Sequence, residues 1–303
     1  MTHTRPFWHG GDYAVALPDL RTHLESFTFL TALAHELDAR APARSVDVRL
    51  HQLRWIDANM CAPLGAILYR NHRAGRGVRL LDVQPHIDAI LRKNGFLSFF
   101  ASERRTKDKW GTVIPFRRYL SSEERSFPNY VARLSKDRDR LQFTHRTRNA
   151  MMFNVLELFN NAVYHAESVP GIFVCGQYYP NANKLRFSIA DLGQGVQGSV
   201  TRYLSRAVGA TEAIEWAVVR GHSTWRDGPG GLGLAFLREY VQANGGVSQI
   251  VSGQGLVEYR EGMVLAETLP RAYPGTCVSI ELNTNTDVPY LVGHAAQDDG
   301  NLF

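Results

Sequence analysis

Four glycines crowd into Gly228-Pro229-Gly230-Gly231-Leu232-Gly233-Leu234, and this stretch restricts the possible folds more than any other. So much glycine is expensive to order inside a helix or strand, so it belongs where a bare backbone must turn or approach something closely. It leads straight into Ala235-Phe236-Leu237-Arg238-Glu239-Tyr240-Val241, a helical run closed by Asn244-Gly245-Gly246. A glycine stretch feeding a helix N-terminus offers free N–H groups and a positive dipole end to an anion. Some forty residues earlier, Lys184-Leu185-Arg186-Phe187-Ser188-Ile189-Ala190 alternates as a strand and delivers Asp191 to a turn built on Gly193 and Gly195. A carboxylate at a strand end is a good acceptor for an exocyclic amine.

Upstream, Met152, Val155, Leu156, Phe159 and Val163 repeat at helical spacing and make one apolar stripe for the core. Glu157, Asn161 and His165 follow at i, i+4 and i+8, so they line a neighbouring face one above another. A carboxylate and an amide one turn apart suit a metal–phosphate site. The amide oxygen can bind Mg²⁺, which keeps waters and phosphate oxygens as its other ligands. The carboxylate can orient and deprotonate a nucleophile. A plain polar helix face is the alternative for the helix by itself; the glycine turns downstream argue for the site. Between those turns, Arg220-Gly221-His222-Ser223-Thr224-Trp225-Arg226 brings hydroxyls and arginines to a long segment that reads as a mobile lid.

Several classes drop out. The chain has no GxxxxGK[ST], hence no P-loop. A dinucleotide fingerprint should open directly into a helix, whereas Gly193-Gln194-Gly195-Val196-Gln197-Gly198 reads as leading into a longer loop first. The histidines form no HExxH, and Cys61, Cys175 and Cys277 form no CxxC pair, so a structural zinc is not expected and the thiols read as reduced, in a cytoplasmic protein. No apolar run approaches the ~20 residues of a membrane span, and the start lacks a secretory pattern. From Glu103 to Arg148 there are thirteen Lys/Arg against six Asp/Glu, in a chain of net charge +5. A solvated basic face is the reading for this stretch; nucleic acid through 103–148 is the weaker alternative, because no recognisable binding motif is present.

At 303 residues the chain has length for two domains. In the first, Leu20, Leu24, Phe27, Leu30, Leu33 and Leu37 recur as a helix, and Val46, Val48 and Leu50 alternate as a strand. Then come a helix around Pro63 and Leu64, a strand from Gly77 to Val83, and a helix from Pro85 to Asn94 stopped by Gly95. This order resembles the STAS domain of anti-sigma factor antagonists. That family carries a D-S-S/T-G run whose hydroxyl accepts phosphate; here the run is Asp57-Ala58-Asn59-Met60, so Asn59 cannot be phosphorylated. The expected organisation is a STAS-like domain over 1–105, a basic linker over 106–129, a nucleotide-binding domain over 130–284 and a tail over 285–303.

The later motifs resemble the GHKL superfamily of gyrase, heat-shock chaperone ATPases, histidine kinases and mismatch-repair ATPases. Glu157 and Asn161 match its N-box, Asp191, Gly193 and Gly195 its first glycine box, Gly231-Leu232-Gly233-Leu234 the end of its second, and Gly275-Thr276 its late G-T. Pro229 departs from the usual glycine and stiffens the lid base. The resemblance implies an α/β fold in which a two-layer Bergerat sandwich follows the STAS-like domain. It implies ATP and Mg²⁺ as cofactors, Glu157 as general base, Asn161 as Mg²⁺ ligand and Asp191 and Thr276 at the adenine. Ser223, Thr224, Gly230, Gly231, Leu232, Gly233 and Leu234 would lie on the lid side. His165 completes the N-A-x-x-H ending seen in anti-sigma serine kinases, with phosphate contact and simple packing both open. The expected function is an ATP-binding regulatory protein that hydrolyses ATP or switches conformation with it. A serine/threonine kinase acting in trans on a STAS-type partner and a non-catalytic ATP-bound scaffold are the alternatives. A protein partner is expected and a homodimer is a weaker expectation; a membrane is not.

Overall fold

The computed structural model describes residues 8–9, 12–40, 43–101, 103–134, 145–166, 168, 170–224 and 233–286. The first module runs β1 (Trp8–His9), β2 (Asp12–Ala16), α1 (Leu24–Ala39), β3 (Ser45–Arg49), α2 (Cys61–Arg73), β4 (Gly77–Leu81), α3 (Pro85–Asn94) and α4 (Phe96–Phe100). Its sheet order is β1-β2-β3-β4, with β2, β3 and β4 parallel and β1 antiparallel to β2. Strand β2 is an addition to the sequence reading, because Asp-Tyr-Ala-Val-Ala is too short and alanine-rich to alternate clearly. Helix α1 begins at Leu24 and not at Leu20, whose backbone is committed to Trp55 and Asp57. Gly95 takes the left-handed conformation (φ 87°) that ends α3.

The second module comprises β5 (Val113–Tyr119), α5 (Phe127–Leu134), α6 (His145–Ala166), β6 (Ile172–Tyr179), β7 (Lys184–Asp191), α7 (Gly195–Leu204), α8 (Ala210–Ala217), α9 (Gly233–Ala243), β8 (Val247–Arg260) and β9 (Met263–Asn283). All pairings in its sheet, ordered β5-β6-β7-β9-β8, are antiparallel. The β8–β9 hairpin is far longer than the strand expected around Val278 to Leu282. It turns at Glu261-Gly262, both at positive φ (46° and 77°), the geometry a two-residue hairpin loop demands. No helix among the described residues is long and apolar enough to cross a membrane.

The sequence places a basic linker at 106–129, but β5 lies inside it and forms the edge of the second sheet. Pro115 hid this strand. Proline is tolerated in an edge strand at an irregularity, and the register shifts between Ile114 and Arg117. Part of the basic surplus is structural. Arg118 donates to the carbonyl of Pro170 (2.6 Å) and lies 4.3 Å from the ring of Tyr69 on α2.

Strand alternation gives the second sheet two apolar faces. Val174, Phe187, Ile189 and Ile280 point to the front, into a core with α6 and α9. Phe173, Cys175, Ala190, Val251 and Cys277 point to the back, into one core with Leu30, Leu37, Leu64 and Leu68 of α1 and α2. Within 130–284 the helices lie on the front of the sheet, and helices α1 and α2 of the first module cover its back. A Cβ at Gly65 on α2 would come 2.5 Å from the ring of Phe116, which indicates how closely the modules approach.

A polar seam runs through this apolar junction. Asn59 is fully buried and its Nδ2 donates to Ser188 Oγ on β7 (2.8 Å) and to Thr22 Oγ1 (2.9 Å). Ser188 pairs with Ser279 on β9 (2.7 Å). Asp57, equally buried, accepts from Arg186 Nη1 on β7 (2.8 Å), from Trp55 Nε1 (3.0 Å) and from the N–H of Thr22 (2.9 Å). Arg186 also donates to Glu281 on β9 (2.7 Å), so neither buried charge lacks a partner.

Candidate functional site

On the front of the second sheet, β7 and β9 form the floor of an open cleft. Of the residues expected from sequence, Asn161, Asp191, Gly195, Ser223, Thr224, Gly233, Leu234 and Thr276 line it. Glu157 and Gly193 are not on its wall but stand beside wall residues. Gly230, Gly231 and Leu232 lie outside the described residues, as does the side chain of His165, whose backbone belongs to α6.

The floor is set by the strand ends. Asp191 closes β7 at 4% exposure, and its Oδ1 accepts from the N–H of Gly193 (2.8 Å). Burial raises its carboxyl pKa from 3.8 to about 7, against the lowering effect of the Gly193 and Thr276 N–H groups. Two backbone donors thus hold this carboxyl. Gly275 sits at φ 143°, where a Cβ would lie 2.3 Å from the carbonyl oxygen of Asp191, so glycine is required there. Ser252 on β8 fastens the corner: its hydroxyl donates to Gly275 O (2.9 Å), accepts from Val196 N–H (2.8 Å) and lies 3.1 Å from Thr276 Oγ1.

At the rim, Glu157 and Asn161 stand one turn apart on α6, both half-buried. The first residue of α9, Gly233, packs against them. A Cβ there would lie 3.0 Å from both Asn161 Nδ2 and Glu157 Oε2. An eleven-residue helix thereby opens its N–H groups beside a carboxylate and an amide. Burial raises the Glu157 pKa, opposed by a hydrogen bond from Asn160. Among the described residues, no group of three His, Cys, Asp or Glu could hold a metal ion. A cation beside Asn161 would therefore draw most of its ligands from a bound molecule and water, the habit of Mg²⁺.

Two expectations change. Helix α7 begins at Gly195, so the first glycine turn does open directly into a helix, and the longer loop is not there. What separates this site from a dinucleotide unit is sheet direction: β7 runs antiparallel to both β6 and β9, and a dinucleotide βαβ unit needs parallel strands. The described part of the segment expected as a lid, up to Thr224, is largely helical. Helices α7 and α8 pack together through Val200 and Ala213, with Val208 from the link between them; 205–209 and 218–224 are outside helices, and 225–232 lie outside the described residues.

The cleft also uses residues that the motifs did not mark. Ile189 and Val278 are register partners two positions before Asp191 and after Thr276, so strand alternation points them to the same face. Trp216 on α8 stacks on His222 at 4.5 Å, and His222 Nδ1 lies 2.9 Å from the carbonyl of Trp216. No local signal announces that pair, because α8 has to fold back over the sheet to bring it to the cleft. No family model, curated protein or solved structure matches the chain.

Proposed function

We propose that the front cleft binds an adenine nucleotide with Mg²⁺ in the GHKL manner and that the chain hydrolyses ATP or switches conformation with it. One observation carries this reading. A buried carboxylate at a strand end and a half-buried carboxylate–amide pair at a helix N-terminus flank the same cleft. Asp191 presents an acceptor to an exocyclic amine on an apolar floor formed by Ile189 and Val278. The start of α9 presents N–H groups to phosphate oxygens, and Asn161 offers its amide oxygen to the cation. The nucleotide supplies the phosphoanhydride bond when bound. Glu157 then orients the attacking water and takes its proton, helped by a pKa lifted towards the working range of a general base.

The first module is STAS-like in this reading, a docked regulatory partner and not a substrate. Asn59 occupies the phosphoacceptor position without a hydroxyl and is sealed against β7 on the face opposite the cleft. The test is ATP turnover by wild type and Glu157→Gln, with free phosphate and phosphoprotein scored separately. Free phosphate abolished by the substitution, with nucleotide binding kept, supports hydrolysis. Label on an added STAS-type protein would assign a kinase instead, and binding without turnover in wild type would leave a scaffold. The acid limb of the turnover profile should lie above that of an ordinary glutamate, since burial raises Glu157.

A further inference from the structure

The β8–β9 hairpin reaches beyond the rest of the second sheet. Strand β7 pairs with β9 only over 277–283, so from Met263 to Thr268 the one strand partner of β9 among the described residues is β8. A strand with one face on a core alternates between buried and exposed positions. Here that alternation is missing: Met263, Val264 and Leu265 are 64%, 52% and 47% exposed, and Ala266 is exposed as well. Nowhere else among the described residues do three consecutive large apolar side chains stand in the open.

The backbone pattern follows from the turn. With a two-residue loop at Glu261-Gly262, Arg260 and Met263 form a hydrogen-bonded pair, and bonded and non-bonded pairs alternate from there. Val264, opposite Tyr259, and Ala266, opposite Val257, therefore point their N–H and C=O groups away from β8. An apolar edge with outward donors and acceptors is a template for another strand.

We propose that this edge pairs with the same edge of a second copy of the chain, antiparallel about a two-fold axis at Leu265. Charge sets the register. With Leu265 on the axis, Val264 of each copy exchanges both backbone bonds with Ala266 of the other, and Glu267 lies opposite Met263 of the other copy. Met263 is itself opposite Arg260. Glu267 and Arg260 of different copies then share one face two strand spacings apart, about 10 Å between Cα atoms and within reach of two long side chains. Arg260 is half-exposed and already holds Glu258 at 3.1 Å, so its other nitrogens remain to be shared. The neighbouring registers bring like charges together. With Ala266 on the axis, Glu267 falls in line with Leu265 and Glu258 of the other copy; with Val264 there, it meets Glu261. So short an edge buries less than the roughly 1,200 Å² of a standard interface, which makes the dimer weak and concentration-dependent.

Sedimentation equilibrium of the full chain without nucleotide, from micromolar to hundreds of micromolar, tests this, and a reversible monomer–dimer equilibrium is expected. Ala266→Pro deletes an outward N–H that β8 does not use, so thermal melts stay near wild type while dimerisation weakens at least about tenfold. Leu265→Cys sets two thiols across the axis at the spacing of a non-bonded pair, about 5 Å between Cβ atoms. Oxidised glutathione then joins the two copies through a disulfide, whereas Ala266→Cys, off the axis, stays largely unlinked. The native Cys61, Cys175 and Cys277 are buried and do not compete. A monomer over the whole concentration range overturns the proposal and leaves the edge to a strand of another protein. So does a dimer that Ala266→Pro leaves intact, or crosslinking as fast at 266 as at 265.

Discussion

Replacing Asp191 by Asn should stabilise the nucleotide-free protein only above about pH 4, with the full effect from neutral pH upward. The carboxyl is buried at the floor of the cleft and its pKa rises from 3.8 to about 7. A raised carboxyl pKa means that the folded state binds the proton more tightly than the unfolded chain. Below about pH 4 both states are protonated and burial costs little. Between about pH 4 and 7 the unfolded chain ionises first, and stability falls by about 1.4 kcal/mol per pH unit. Above pH 7 both states are ionised and the full cost of about 4 kcal/mol stands, a large part of the 5–15 kcal/mol that a domain has. Asparagine keeps the volume and the acceptor for the Gly193 N–H but cannot ionise. Urea midpoints of wild type and Asp191→Asn should therefore coincide near pH 4 and separate progressively to pH 8, with the variant the more stable by up to about 4 kcal/mol. Parallel stability curves from pH 4 to 8 would refute the argument that burial sets this carboxyl.

Three further outcomes follow from the same geometry. Asp191→Leu, which removes the acceptor altogether, should weaken adenine nucleotide binding about 10- to 100-fold and erase any preference over guanine nucleotides, measured by calorimetry. Gly275→Ala forces a Cβ to within 2.3 Å of the Asp191 carbonyl at φ 143°, so it should lower stability by about 1–3 kcal/mol and carry nucleotide binding down with it; an unchanged melt rules the strain out. Asn59→Leu strips Ser188 of its buried donor and should cost about 1–3 kcal/mol in urea unfolding, while radiolabelled ATP leaves residues 50–65 unlabelled in both proteins.

The motifs made much of the site legible because each rests on local chemistry. Helical spacing alone sets Glu157 one turn from Asn161, strand alternation alone delivers Asp191 to a turn, and the Gly275-Thr276 pair marks a tight backbone. Legibility failed where a residue's role depends on a distant partner. Strand β5 carries Pro115, Arg117 and Arg118 and reads as a polar connector until β6 supplies its hydrogen bonds. Gly193 to Gly198 looks like a loop because glycine is a poor helix former, yet α7 starts at Gly195, where φ 74° suits glycine and Ser252 accepts from Val196. Trp216 and His222 reach the cleft only because α8 packs over the sheet, a placement no spacing in the chain encodes.

By itself the sequence determined the elements and their chemistry: a mixed α/β chain, a carboxylate–amide helix face, two glycine turns and an Asn59 that cannot take phosphate. These follow from periodicity and side-chain type, which act over a few residues. Only the tertiary structure decided that the back of the second sheet is covered by the first module. The alternation of Phe173, Cys175, Ala190 and Cys277 is equally consistent with an exposed face, a dimer contact or an intramolecular one. The choice falls to the first module because Leu30, Leu37, Leu64 and Leu68 need the same apolar surface. The Asp57–Arg186 and Asn59–Ser188 pairs then satisfy the polar groups that this burial removes from water.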